Sequence, residues 1–223
     1  MAMLPDLPQT EIAIVEMTNA FRKESRLGEV KPNAALNAAA RAFAAYLAQS
    51  GKFAHEADGH EPHERAVAQG YRYCLVSENL AMNLDSRGFE SRQLAREAVE
   101  GWKKSPGHRA NMLAPAATEI GVGVVQAPHR SPKFISVQMF GRPESMKVTF
   151  SIENLAGGPV AYTLGEETET LPPRATATHS SCSPDALTFP PPVQAGARFE
   201  PRDGDRFVAR RSGSAITIQR DRK

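Results

Sequence analysis

Between Ala34 and Ala48, nine of fifteen residues are alanine, and this run constrains the fold more than any other part of the chain. Alanine is the best helix former because it loses no side-chain entropy. Leu36, Phe43 and Leu47 recur among the alanines, with Asn33 and Gly51 as start and stop signals. The run predicts a helix over about 34–50, buried at close range rather than solvated.

The flanking elements follow from periodicity and punctuation. Thr10 is the expected N-cap of a helix over about 11–26, with Gly28 as its stop; Ile12, Val15, Asn19 and Arg22 recur at helical spacing. Residues 52–60 read as a polar loop, and a short helix over about 61–69 stops at Gly70. Tyr71–Leu80 reads as extended. Ser91–Lys104 predicts a third long helix with Leu94, Ala95, Ala98, Val99 and Trp102 as its apolar stripe. Pro106-Gly107 is read as its break, which leaves His108 near the start of a further short helix. Glu119–Gln126 alternates Ile120, Val122 and Val124 with glycines, and forms an expected hairpin with Phe134–Phe140.

The pattern changes near Gly141-Arg-Pro-Glu-Ser. From there the apolar runs are short and alternating: Lys147–Ile152, Val160–Leu164, Ala175–His179, Phe207–Arg211 and Ala215–Gln219. Proline- and glycine-rich stretches separate them, which predicts a small all-β domain over 146–223, a sandwich or a barrel. At this size it is marginal alone and is expected to pack on the first domain. The net charge of +2 gives no reason to expect nucleic acid or an anionic membrane as partner. No apolar run reaches the roughly 18 residues that span a bilayer. The N-terminus carries neither a basic nor an apolar leader segment. It fits a cytoplasmic chain or a mature boundary equally well. Cys74 and Cys182 are the only cysteines. They read either as independent thiols, with Cys74 a buried structural thiol rather than a reactive one, or as one bridge requiring an oxidising compartment.

Of the six histidines, His55, His60 and His63 cluster. His60 and His63 read as solvated loop residues, and His129 and His179 as surface residues. His55 follows Phe53-Ala54 just after the buried helix, so it is expected to point inward. Ser77-Glu78-Asn79-Leu80-Ala81 places a carboxylate and an amide in an apolar run, where both need partners. Ser105-Pro106-Gly107-His108-Arg109-Ala110-Asn111-Met112-Leu113 is the third unusual stretch. Each is unremarkable singly.

In order, Phe-x-His, Gly-Tyr, Ser-Glu-Asn-Leu-Ala, Trp-x2-Ser-Pro-Gly-His-Arg-x-Asn-Met-Leu and Glu-Ile-Gly-Val-Gly resemble the bacterial branch of the CAP superfamily. These are the cysteine-rich secretory, antigen 5 and pathogenesis-related proteins, built on the SCP domain. The resemblance covers roughly residues 8–142, taking in Asn19-x2-Arg22 and the alanine-rich helix. It implies an α+β fold: a three-layer α-β-α sandwich with a central cleft, here followed by the β-domain. It implies a cleft tetrad of two His and two Glu, in which His55, Glu78 and His108 take three places. It also implies zinc or another divalent metal on His55 and His108, with Glu78 supporting or handling protons. Three residues after Trp102, where animal and plant members carry the second Glu, this chain has Ser105. Glu97 and Glu100 are the nearby carboxylates, and Asn79 is a further cleft candidate. The family's animal-type disulfides are absent.

Three functions remain open at this point. The first is a secreted or periplasmic binding module for a metal, a small apolar ligand or an envelope component. No activated Ser or Cys with a matching base speaks against it. The second is a metal- or His/Glu-dependent hydrolase of peptide or envelope material, which the missing Glu weakens. The third is a scaffold whose β-domain binds a protein partner. No transmembrane segment and no nucleic acid enter any of the three.

Overall fold

A computed structural model describes residues 2–183, 185–193 and 197–221. Its first helix begins earlier than Thr10. In α1 (Leu7–Glu24) the Asp6 carboxylate accepts from Gln9 N at 2.9 Å, and Pro8 sits in the first turn, where its missing N–H costs nothing. Thr10 lies inside the helix and donates its hydroxyl to Asp6 O. The helix also stops short of Gly28: Ser25 caps it and Arg26 takes a left-handed φ of 60°. The early start has a local cause, since an Asp-x-Pro start outcompetes a threonine cap.

A two-residue strand, β1 (Lys31–Pro32), precedes α2 (Ala34–Ser50). Here the expectation holds: Asn33 Oδ1 accepts from Ala35 N and Leu36 N, and Gly51 closes the helix at φ 70°. Then come α3 (Pro62–Ala68), β2 (Tyr73–Leu84), α4 (Ser91–Lys104), α5 (Pro106–Met112), β3 (Glu119–Ala127) and β4 (Lys133–Pro143). The Pro106-Gly107 pair does not simply end a helix. Proline's fixed φ opens α5 at once, and His108 falls in its first turn.

The sheet runs β1-β3-β4-β2, with β4 antiparallel to both long neighbours. One face carries α1, α4 and α5: Ile14, Phe21, Leu94, Val99, Trp102 and Met112 pack on Ile120, Val122, Val124, Phe134 and Phe140. The other carries α2 and α3, through Leu36, Ala40, Phe43, Leu47 and Ala66 on Leu80, Ile135, Val137 and Met139. This is a three-layer α-β-α sandwich. The alanines and the Gly-Val-Gly of β3 belong together. A Cβ on Gly121 would lie 2.2 Å from Leu36 C, and one on Gly123 would lie 2.3 Å from Arg41 N. α2 therefore rests directly on the backbone of β3.

Residues 1–145 and 146–223 form two separate units. The second contains β5 (Val148–Leu155), β6 (Val160–Leu164), β7 (Glu167–Leu171), β8 (Thr176–Ser181), β9 (Leu187–Thr188), β10 (Arg198–Phe199), β11 (Arg206–Ser212) and β12 (Ala215–Asp221). They make two four-stranded sheets, β10-β9-β6-β7 and β12-β11-β5-β8, sharing one core of Phe150, Ile152, Tyr162, Leu187, Phe207 and Ile216. This is a sandwich, with β5 and β11 parallel. Neither cysteine is a free thiol: Cys74 and Cys182 are both disulfide-bonded. No helix among the described residues is long and apolar enough to cross a membrane.

Candidate functional site

Glu78 lies in the middle of β2, opposite Met139, with a side chain only 1% exposed. A buried carboxylate needs a cation and hydrogen bonds, and α3 supplies them. Arg65 Nη2 donates to both carboxylate oxygens, at 3.2 and 3.0 Å. The same nitrogen donates to His55 O at 2.9 Å, while Nη1 donates to Asp58 Oδ1 and His60 O. The guanidinium lies 3.6 Å over the Phe43 ring of α2. Arg65 thus fixes the carboxylate and folds the 55–60 loop around itself.

His55 completes the arrangement, with Nδ1 2.8 Å from Glu78 Oε1. Burial pushes the Glu78 carboxyl up, and the hydrogen bond from His55 and the charge of Arg65 pull it back. An ionised carboxylate only accepts, so with Glu78 ionised beside Arg65 the His55 Nδ1 carries the proton shared with Oε1, and Nε2 is left out of the pair. The ring is half exposed. Phe53 is itself 42% exposed, so no core wall turns His55 inward as the sequence suggested; Glu78 and Arg65 do so instead.

His108 is held from the opposite layer. Asn79, fully buried, donates to His108 O at 3.1 Å and to Gln138 Oε1 at 3.0 Å. Its own oxygen accepts from Asn111 Nδ2, which also donates to Glu78 O. Gln138 donates to Thr18 Oγ1, and Thr18 to Ile14 O. A continuous hydrogen-bonded path therefore runs from α1 through the sheet to α5. Partial burial, and secondarily the charge of His55, hold His108 below the ordinary histidine range, so the two imidazoles share one electrostatic field. Since Glu78 and Asn79 point to opposite faces of β2, the His55 ring and the His108 backbone are held from opposite sides of that strand.

The other named residues stay apart. Glu97 accepts from Gln93 on the exposed side of α4. Glu100 pairs with Lys103, which holds its carboxyl below the usual range. Ser105 joins α4 to α5 without a side-chain cap bond. Among the described residues, no group of three or more His, Cys, Asp or Glu side chains is placed to hold a metal ion. Any metal would therefore rest on two imidazoles. They suit it chemically, one ring being oriented by a carboxylate and the other kept neutral. His60 is exposed, His63 packs 5.3 Å from the Tyr73 ring, and His129 bonds within its own turn. His179 departs from its surface reading: it stacks on Phe150 and meets Tyr162 Oη at 2.9 Å.

Sequence reasoning missed Arg65, Asp58, Asn111 and Gln138. A usable signal existed for the first. An isolated carboxylate in an apolar strand demands a cation, and Arg65 is the basic residue of the short helix after His55.

Residues 15–140 match the sequence model of the cysteine-rich secretory protein family, CAP. The chain is 30% identical over 118 residues to the uncharacterized protein YkwD of Bacillus subtilis, covering 52% of this chain and 43% of that one. Its fold resembles an extracellular SCP-domain protein of Bacillus anthracis, at a TM-score of 0.50 and 23% identity, covering 61% of this chain and 41% of the other. It also resembles an outer surface protein of Borrelia burgdorferi, at a TM-score of 0.52 and 20% identity, covering 65% of this chain and all of the other. The chain spans less than half the length of the two Bacillus proteins.

Proposed function

The chain belongs to the cysteine-rich secretory protein family, and we propose from that premise that the His55–Glu78–His108 cleft binds a divalent metal such as zinc, in a protein working outside the cytoplasm. The observation that carries this reading is the locking of His55. Its Nδ1 is spent on a carboxylate that Arg65 itself holds, so the ring is fixed and Nε2 is left as a free donor. His55 Nε2 and an imidazole nitrogen of His108 would hold the ion. Bound there, it would supply a Lewis-acidic point with coordination positions left for water or an anionic ligand group.

A binding role is supported over hydrolysis by the state of Glu78. It is buried and saturated by Arg65 and His55, so it supports a ring rather than facing a substrate. Two disulfide-bonded cysteines, and relatives described as extracellular or outer-surface, support the compartment. The test is calorimetric titration of the full chain with zinc. Saturable binding of about one ion is expected, weakened at least tenfold by His55→Ala and by His108→Ala. Absence of binding at millimolar zinc, or unchanged binding by the double variant, removes the proposal.

A further inference from the structure

The two outer edges of the first sheet are finished differently. In an antiparallel pair, alternate residues point their N–H and C=O to the neighbour and the others point away. On β3 the outward residues are even-numbered: Val122 N donates to Asn37 Oδ1, Val124 N donates to Glu11 Oε1, and Ile120 O accepts from Asn33 N. That edge is closed by β1, by Glu11 of α1, and by Asn33 and Asn37 at the start of α2. On β2 the outward residues are even-numbered too, because Glu78 O takes Asn111 and Leu80 O takes Trp102 Nε1 at 2.9 Å. The same parity turns the N–H and C=O of Met82 and the N–H of Leu84 outward, and among the described residues nothing in the protein bonds them.

The usual defences of an exposed edge are missing here. Proline, charged side chains and bulges protect such strands; the stretch Leu80–Leu84 contains none of them and keeps regular register with β4. Instead Met82 and Leu84 expose apolar side chains, at 48% and 54%, on the face that also carries Glu78. We propose that this open edge binds an extended polypeptide, which adds a strand beside Met82 and Leu84 and lays apolar side chains at alternate positions over theirs. The chemistry names the occupant: unpaired main-chain donors and acceptors at strand spacing match another main chain, and the paired apolar side chains supply alternate-residue contacts. Glu78 lies four residues away on the same strand, roughly 13 Å at strand rise. That the added strand points toward the His55–His108 cleft rests on the reading above; the pairing itself does not.

The experiment titrates metal-free, 15N-labelled full chain with acetyl-Val-Thr-Val-Thr-Val-amide. In parallel it uses the same peptide N-methylated at the amides that would face β2. Saturable shifts of the Met82 and Leu84 amides are expected, with about tenfold or weaker binding of the methylated peptide. Met82→Pro removes one outward N–H and no bond to β4, so it is expected to fold and to lose peptide binding to a similar degree. His55→Ala is expected to bind the peptide normally, which separates this proposal from the metal site. Equal binding of the methylated peptide, or shifts that spare Met82 and Leu84, would overturn it. So would concentration-dependent self-association through these amides, which makes a second copy the occupant.

Discussion

In residues 1–145, nine polar or charged residues are buried, among them Thr18, Arg65, Glu78, Asn79, Ser136 and Gln138. In 146–223 the described residues include two, Asn154 and Asp205. The second pair holds turns and one ion pair: Asn154 Nδ2 donates to Gly158 O, Leu171 O and Pro172 O, and Asp205 accepts from Arg202 N and from Arg220. In the first unit Arg65, Glu78, Asn79 and Gln138 meet at β2 and bond the ring or backbone of His55 and the backbone of His108. The contrast supports placing the proposed metal site in the first unit.

The sharpest way to break this contrast is to uncouple Glu78 from its cation. Arg65→Met leaves a buried carboxylate without its permanent cation, with only the His55 hydrogen bond beside it, and a loss of about 3–5 kcal/mol is expected. Trp102, the single tryptophan, is buried in the first unit, so its fluorescence during urea unfolding reports that unit. The double variant Arg65→Met/Glu78→Leu should recover most of the loss. A single variant costing under about 1 kcal/mol would mean that Glu78 is not an ion in need of Arg65. Next in size is Asn154→Ala, which strips three carbonyls of their donor and should cost about 1–3 kcal/mol. Hydrogen exchange at the β5 and β8 amides measures it, and zinc binding should not change. An altered zinc affinity would erase the distinction between the units.

A smaller effect concerns pH. His108 is held below its unfolded value of about 6.5. Between those two values the folded chain binds fewer protons than the unfolded one, so its stability contribution falls as pH drops through about 6.5. In an NMR titration the His108 ring should titrate below that value, and His55→Ala should move it upward by removing the second cause. A ring titrating at or above the ordinary value would show that burial does not govern it. The smallest effect is expected on the surface of α1 and α4. The Arg92–Glu16 pair is largely exposed, and Arg92→Ala should change stability by no more than about 0.5 kcal/mol.

The parts legible in the sequence are those whose signal is local. α2 was readable because composition, Asn33 and Gly51 agree; α4 because its stripe ends on Trp102. His55, Glu78 and His108 were nominated by motif order, since their convergence depends on which layers flank β2. Arg65 was hidden because an arginine in a short, charged helix looks solvated; only the fold turns it onto Phe43 and Glu78. In the second unit β7 was invisible, with four exposed residues and Leu171 alone buried. β9 and β10, two residues each, carry no periodicity at all. The start of α1 was misplaced because Asp6 and Pro8 act together, whereas Thr10 resembles a cap taken alone.

The two glycines of β3 have a consequence for how such a chain tolerates change. α2 is seated main chain to main chain at Gly121 and Gly123, which sets how closely the helix approaches β3. The helix delivers the chain to Gly51 and, a few residues on, to His55. A methyl group on either glycine would push α2 off β3 and shift the start of the loop that carries His55.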